Sequence, residues 1–152
     1  MSKKKRFKPS DFNTVSLASS GVKMPLYLPD GEDSGEYLIV RGADDPAYKK
    51  EKQISNLKYL DFAKKQKGSK EEKTDKITKG IQEFQEKMEF NLICKLVLGW
   101  SFDEEFSEEA VTKFLADAPG VATQVDQFAA ERSNFFKKPS KNSEGSQDGT
   151  SN

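Results

Sequence analysis

The stretch from Gly99 to Phe136 contains closely spaced signals for helix ends, and it constrains the fold more than any other part of the chain. Gly99 follows an apolar run and suits the left-handed position after a helix, which a residue without Cβ adopts without strain. Ser107 is a suitable N-cap for a helix with two glutamates in its first turn, where the helix dipole favours negative charge. Pro119 restricts the residue before it and fits the first turn of a further helix. We therefore predict two short helices, over residues 108–117 and 120–132.

A β-hairpin is predicted near the N-terminus. The runs VKMPLYLPD and EYLIVRG are rich in β-prone residues, and the turn-rich segment GEDSG separates them. Pro25 lacks a backbone donor, so the first of the two strands is expected at an edge of the sheet.

Two longer helices are predicted between the hairpin and Gly99. Asp45 can cap the first, and Pro46 fits its first position. This helix has an apolar side made of Ile54, Leu57, Tyr59, Leu60 and Phe62, with its lysines facing solvent. The second begins near Glu71, and its apolar residues continue to Leu98. Its stripe, at steps of three or four residues, consists of Ile77, Ile81, Phe84, Met88, Leu92 and Leu96.

These elements predict an α+β fold that is mainly α-helical, with a short N-terminal β-hairpin followed by four helices and disordered termini. Residues 1–21 are expected to form a flexible basic arm, and residues 22–136 a single domain. Residues 137–152 are expected to form a disordered tail or linker, because they are too polar to offset the entropy cost of ordering.

Charge is balanced overall but segregated along the chain. Lys plus Arg and Asp plus Glu both number 25. Residues 49–79 contain eleven lysines and five acids, whereas residues 83–131 contain eleven acids and three lysines. A chain with this polarity is expected to self-associate or to bind an oriented partner.

The sequence lacks the residues that most enzymes use. It contains no His, and Cys94 is its single cysteine, so we predict no catalytic activity, cofactor or metal. Asp44–Asp45 and Asp103–Glu105 could in principle hold a divalent ion, but a helix cap and a solvated loop are the favoured interpretations. No run approaches the roughly 18 apolar residues of a membrane helix, and we expect a soluble intracellular protein.

Seven aromatic residues of the Gly99–Phe136 stretch divide into two groups. Phe114 and Phe128 have helical spacing and are predicted to lie in the core. The others lie in connections or after the last helix, and aromatic residues are frequent anchors of protein interfaces. The predicted partner contacts are Trp100, Phe102, Phe106, Phe135 and Phe136.

The segments LVLGWSF, FSEEAVTKFLADAPGVATQVDQF and RSNFF resemble the tail assembly chaperones of long-tailed bacteriophages. The matching positions are Gly99, Trp100, Phe106 to Val111, and Asn134–Phe135. The resemblance covers roughly residues 20–136.

The resemblance implies a non-enzymatic protein that binds the tape-measure protein and keeps it soluble while tail-tube subunits polymerise around it. It also implies that a longer form, made by ribosomal frameshifting, recruits the tail-tube protein. Such a chaperone acts in the host bacterial cytoplasm and is absent from the mature virion.

Two other functions remain open at this point. One is a small nucleic-acid-binding or regulatory phage protein that uses MSKKKRFK and the lysine-rich helix, with binding that falls steeply as salt rises. The other is a minor structural protein of the tail.

Overall fold

The computed structural model describes residues 6–67 and 74–136. Its helices are α1 (Val15–Ser20), α2 (Pro46–Lys67), α3 (Thr74–Lys95), α4 (Glu108–Asp117) and α5 (Pro119–Ala130). Its strands are β1 (Val22–Tyr27), β2 (Asp33–Val40) and β3 (Val97–Trp100), and 3-10 turns span Pro9–Phe12 and Arg132–Phe135. The predicted class, α+β and mainly helical, is confirmed. The predicted polar tail, residues 137–152, lies outside the described residues.

The predicted hairpin forms the first two strands of an antiparallel sheet with the order β1-β2-β3. Val22 lies opposite Val40, and Met24 lies opposite Leu38. β1 is an edge strand, as Pro25 predicts. Proline has no backbone N–H to donate, and an edge strand tolerates this because one of its sides has no neighbouring strand.

The third strand was not predicted. α3 ends at Lys95, and β3 pairs with β2 so that Gly99 lies opposite Ile39. Gly99 is therefore a strand residue without a positive φ angle, and the prediction that it ends a helix in the left-handed conformation is wrong. The physical reason is that the free edge of β2 satisfies the backbone of an apolar run that suits a strand as well as a helix.

Part of the predicted flexible arm is ordered. Residues 9–20 contain a 3-10 turn and α1, and Ala18 in α1 is 1% exposed. The amide of Gly42 donates to the carbonyl of Ala18 at 2.9 Å, and a Cβ on Gly42 would approach Ala18 to 2.8 Å. The close approach that glycine allows there fixes α1 against the connection between β2 and α2.

Three predicted helix starts are confirmed. The Tyr48 amide donates to the Asp45 carboxylate at 3.1 Å, and α2 begins at Pro46. The Ala110 amide donates to the Ser107 hydroxyl at 3.0 Å at the start of α4. α5 begins at Pro119.

The main core lies between one face of the sheet and three helices. Alternate strand residues, among them Met24, Leu38 and Val40, point into it with no exposed surface. The end of α3, together with α4 and α5, supplies the opposite side of this core through Leu92, Leu96, Val111, Leu115, Ala122, Val125 and Ala129. Full burial of each large apolar side chain contributes about 1.5–3 kcal/mol, so this layer stabilises the fold.

α2 and α3 pack against each other as two 22-residue helices, each about 33 Å long. The Phe62 ring stacks on the Phe84 ring with centroids 4.2 Å apart. The predicted apolar side of α2 is divided, however: Tyr59 and Phe62 are half-buried, whereas Leu57 and Leu60 are 63% and 61% exposed. Because a helix turns about 100° per residue, Leu60 and Phe62 point in nearly opposite directions.

Candidate partner-binding site

Three of the predicted contact residues meet in one group of rings. Phe102 and Phe106 pack edge-to-face on Trp100, with centroids 5.2 Å and 5.3 Å from it. Phe114 on α4 closes the group at 5.3 Å from Phe102 and 6.1 Å from Trp100. We call these four residues the aromatic cluster. Each edge-to-face pair stabilises the fold by about 0.5–1.5 kcal/mol beyond the contribution from the burial of apolar surface. The cluster therefore stabilises the conformation of the loop between β3 and α4.

Hydrogen bonds hold the same loop at both ends. The Trp100 indole donates from Nε1 to the Glu104 carbonyl at 2.9 Å. The Ser101 hydroxyl donates to the Glu36 carboxylate at 2.6 Å and accepts from the Tyr37 amide at 2.8 Å. Ser107 then starts α4 as its N-cap. The rings are thus presented by a loop that is fixed to β2 and to its own backbone.

All four rings of the aromatic cluster are half-buried, and acidic residues alternate with them in the sequence. Phe114, which the sequence places in the core, packs against the core but keeps part of its surface. The acids close to them in the sequence are exposed, namely Asp103, Glu104, Glu105, Glu108 and Glu109. This end of the molecule therefore combines apolar surface with strong negative charge.

A cleft of about 510 Å³ lies beside the aromatic cluster. Phe106 is one wall, and the others come from α2, α3, β3 and α4, including Glu51, Asn91, Lys95, Leu98 and Thr112. Lys95 on α3 and Glu51 on α2 face each other at 4.0 Å. Arg41 also lines the cleft, and its buried Nε has no hydrogen-bond partner among the described residues. The cleft is bounded by helices and offers both apolar and polar contacts.

Cys94 also lines this cleft, but its environment disfavours a reactive thiolate. Burial raises the pKa of the Cys94 thiol, against smaller lowering effects of Thr112 and Lys95. The thiol is therefore neutral near pH 7 and acts as a small apolar group.

The remaining predicted contacts, Phe135 and Phe136, lie outside the aromatic cluster. Phe135 is 1% exposed and packs edge-to-face on Phe128 at 5.7 Å. α1, which the sequence does not predict, packs against the 3-10 turn that carries Phe135 and helps to bury its ring. The predicted contact of this ring with a partner stays a prediction. Phe136 is half-buried at the end of the described chain. Phe128, predicted to lie in the core, is half-buried and packs against it.

The paired carboxylates at residues 44 and 45 are bound by neighbouring side chains. Arg132 donates to Asp44 at 2.8 Å and 3.0 Å, and this bond lowers the pKa of Asp44 despite partial desolvation. Burial raises the pKa of Asp45, but hydrogen bonds from Ser19 and Tyr48 and the charge of Arg41 outweigh it, so that pKa is lowered too. Both carboxylates therefore have a structural role at the start of α2.

The sequence does not predict one exposed apolar surface, which lies on the outer side of α2. It consists of Ile54, Leu57 and Leu60, and we call it the α2 stripe. Helical geometry contains the signal, because at about 100° per residue Leu57 lies roughly 140–160° around the helix from both Tyr59 and Phe62. The sequence predicts a single apolar side for all five apolar residues of this helix, and the structure divides them between two sides.

Within residues 6–67 and 74–136, no group of three or more His, Cys, Asp or Glu side chains is arranged to hold a metal ion. No helix in this part of the chain is long and apolar enough to cross a membrane.

Fold and site together define a small, mainly helical α+β protein with an aromatic cluster beside a helix-lined cleft. The family model for phage tail assembly chaperones matches residues 27–134, so the chain belongs to the phage tail assembly chaperone family. The matched region contains the aromatic cluster and the cleft, and the resemblance seen in the sequence is confirmed. Membership implies a non-enzymatic role in the assembly of phage tails. No curated protein and no solved structure gives a significant match to the chain.

Proposed function

We propose that this chaperone binds the tape-measure protein, keeps it soluble and promotes polymerisation of the tail tube around it. The observation that carries the proposal is the aromatic cluster beside the 510 Å³ cleft between α2, α3 and α4. An amphipathic helix can place apolar side chains in a groove of this kind, and half-buried aromatic rings at its rim are suitable anchors.

The acidic residues next to the aromatic cluster indicate which charges the bound segment should carry. Five exposed acids lie in the loop and the first turn of α4, so the segment should carry Lys or Arg beside its apolar positions. Arg41 lines the cleft, and we expect its guanidinium group to bind a carbonyl or carboxylate oxygen of the segment.

The central experiment is co-expression with the cognate tape-measure protein. We expect the tape-measure protein to be soluble and to co-purify with the wild-type chaperone, and the Phe102→Ala/Phe106→Ala variant to lose at least ten-fold in affinity. Phe12→Ala is the matched control, because Phe12 is 69% exposed and lies outside the cluster. Equal solubility of the tape-measure protein without the chaperone, and no complex on purification, would contradict the proposal.

Charge reversal tests the predicted basic character of the bound segment. Glu104→Lys/Glu105→Lys should weaken the complex and reduce its dependence on salt, since it removes attraction at the rim. Glu83→Lys/Glu86→Lys makes the same change at exposed positions of α3 and should have a smaller effect. Equal effects of the two variants would show that net charge, and not the rim, governs binding.

The proposal includes two further steps of assembly. A longer form, made by ribosomal frameshifting, recruits the tail-tube protein, and the chaperone leaves before the virion is complete. Mass spectrometry of infected host cells should detect peptides of the longer form in the cytoplasm. Purified virions should contain neither form, and the presence of the chain in stoichiometric amounts would instead support a structural tail protein.

A further inference from the structure

The segment before α1 carries two exposed aromatic rings that belong to neither the core nor the aromatic cluster. Phe7 and Phe12 are 53% and 69% exposed, and their rings meet edge-to-face with centroids 6.4 Å apart. We call residues 6–12 the N-terminal turn. It lies outside residues 27–134, which the family model matches, so membership of the family does not account for these rings.

Basic residues flank the rings of the N-terminal turn. Arg6 and Lys8 are the direct neighbours of Phe7, and both are exposed. Residues 1–21 contain five basic residues and one acid. That acid, Asp11, accepts a hydrogen bond from the Lys8 backbone amide at 2.8 Å. The N-terminal turn therefore offers cations and open rings next to each other in the chain.

Local hydrogen bonds fix the shape of the N-terminal turn. The Asp11 amide donates to the Lys8 carbonyl at 2.9 Å, and the Asn13 amide donates to the Ser10 carbonyl at 3.2 Å. Pro9, with its fixed φ angle, is the first residue of the 3-10 turn. A preorganised segment loses little conformational entropy when it binds, so its rings are suitable anchors.

The N-terminal turn is also held close to the domain, because only two residues separate it from α1. The Thr14 hydroxyl donates to the Asp44 carboxylate at 2.9 Å. The Ser19 hydroxyl donates to the Asp45 carboxylate at 2.7 Å. These bonds join α1 to the start of α2, and the two rings are therefore presented from a fixed base.

We propose that the N-terminal turn binds single-stranded nucleic acid, with bases stacked on Phe7 and Phe12 and phosphates paired with Arg6 and Lys8. Every base has a flat face that stacks on an aromatic ring, and cations beside the rings attract the phosphates. The order of Arg6, Phe7 and Lys8 repeats the alternation of phosphate and base along a strand. The sequence places three further lysines, Lys3 to Lys5, directly before Arg6. This activity is separate from the proposed binding of the tape-measure protein, because it does not use the aromatic cluster.

Other partners of a basic, aromatic segment fit these observations less well. A segment that binds a lipid surface is typically a long amphipathic helix, whereas the 3-10 turn here has four residues. An acidic protein would need apolar surface around its anchors, but Ser10 and Asn13, close to the rings in the sequence, are polar and exposed. A duplex keeps its bases stacked on one another, so they cannot stack on Phe7 and Phe12.

Fluorescence anisotropy of labelled strands of about 12 nucleotides, with the nuclease-treated full chain at low salt, tests the proposal. We expect oligo(U) and oligo(dT) to bind more tightly than a duplex of the same length, and their comparison distinguishes RNA from DNA as the source. An abasic strand with the same number of phosphates should bind about ten-fold more weakly than oligo(dT), because it keeps the charge and lacks the bases.

Two variants separate stacking from charge. Phe7→Ala/Phe12→Ala should bind oligo(dT) about ten-fold more weakly and the abasic strand like the wild type. Arg6→Gln/Lys8→Gln should weaken the binding of every strand and reduce the slope of log affinity against log salt by about 1.4, the value for two lost phosphate contacts. Val15→Ala, at an exposed apolar position of α1, is the matched control and should bind like the wild type. Both double variants should still co-purify with the tape-measure protein.

Several results would overturn the proposal. Equal affinity of the wild type for oligo(dT) and the abasic strand would mean that no base stacks. A Phe7→Ala/Phe12→Ala variant with native circular dichroism and wild-type affinity would place the bases elsewhere. Displacement of oligo(dT) by an equal charge of poly-glutamate would assign the turn to an acidic protein. Retention on vesicles of phosphatidylglycerol and phosphatidylcholine, without binding of any strand, would assign it to a lipid surface.

Discussion

The aromatic cluster and the α2 stripe differ in how their apolar side chains are accommodated. In the cluster, Trp100 and three Phe rings pack on one another, and the indole donates to the Glu104 carbonyl. In the stripe, Leu57 and Leu60 remain largely exposed on a helix whose other side is packed. The cluster therefore contributes to the folded state and also offers a surface, whereas the stripe contributes little to the folded monomer.

The largest expected effect tests the structural contribution of the aromatic cluster. Trp100→Ala removes the central ring and a hydrogen bond, and we expect it to lower the free energy of unfolding by about 3 kcal/mol. Urea denaturation followed by circular dichroism measures the change. Leu57→Ala is the matched truncation in the stripe and should change stability by no more than about 0.5 kcal/mol. Equal costs for the two variants would remove the distinction between the regions.

The second effect concerns the anchoring of α2 at its first turn. Asp45→Asn weakens the charge-assisted bonds from Ser19, Arg41 and Tyr48 and should cost about 1.5–3 kcal/mol at pH 7. Because the pKa of Asp45 is lowered in the folded state, its carboxylate stabilises the protein above the ordinary value of 3.8. That contribution is lost as pH falls through the folded pKa.

Unfolding measured between about pH 7 and pH 2 should show a smaller loss of stability in Asp45→Asn than in the wild type. Lys113→Gln, which breaks an exposed ion pair with Asp117, is the control and should cost about 0.5 kcal/mol or less. An unchanged acid dependence in Asp45→Asn would show that Asp45 does not stabilise the start of α2.

A smaller effect is expected at the end of the loop that carries the aromatic cluster. Ser107→Ala removes the N-cap of α4 and should cost about 1 kcal/mol in urea denaturation. Thr123→Ala, at an exposed position within α5, should be neutral or slightly stabilising, because alanine favours a helix. A neutral Ser107→Ala would indicate that the rings alone position α4.

The smallest effect is expected in the α2 stripe itself. Leu57→Ser/Leu60→Ser should change the unfolding free energy of the monomer by about 1 kcal/mol or less, since both side chains are more than half exposed. Urea denaturation followed by circular dichroism measures the change. A loss above about 2 kcal/mol would mean that the stripe stabilises the monomer after all.

Local signals in the sequence predicted several elements of this fold. Asp45, Ser107 and Pro119 mark helix starts because a cap or a fixed φ angle acts within one turn. Pro25 marks an edge strand for a similarly local reason. Trp100, Phe102 and Phe106, three of the five predicted contacts, share one connection flanked by acids in the sequence, and their rings lie together in the structure.

Other features depend on partners distant in the chain. The segment Val97–Trp100 suits a helix or a strand, and the free edge of β2 about 60 residues earlier decides for the strand. Phe135 was predicted at the surface because neither α1 nor its contact with the last turn is evident from local pattern. The side chains that line the cleft are spread along the sequence between Arg41 and Thr112, so no short segment of the sequence predicts it.

The sequence by itself determined the fold class, the hairpin, most helix starts and the membership of the phage tail assembly chaperone family, because these depend on short-range sterics and recognisable segments. Tertiary structure alone decided which apolar residues are covered. It placed Phe135 inside and left Leu57 and Leu60 outside, since burial depends on which other elements reach each side chain.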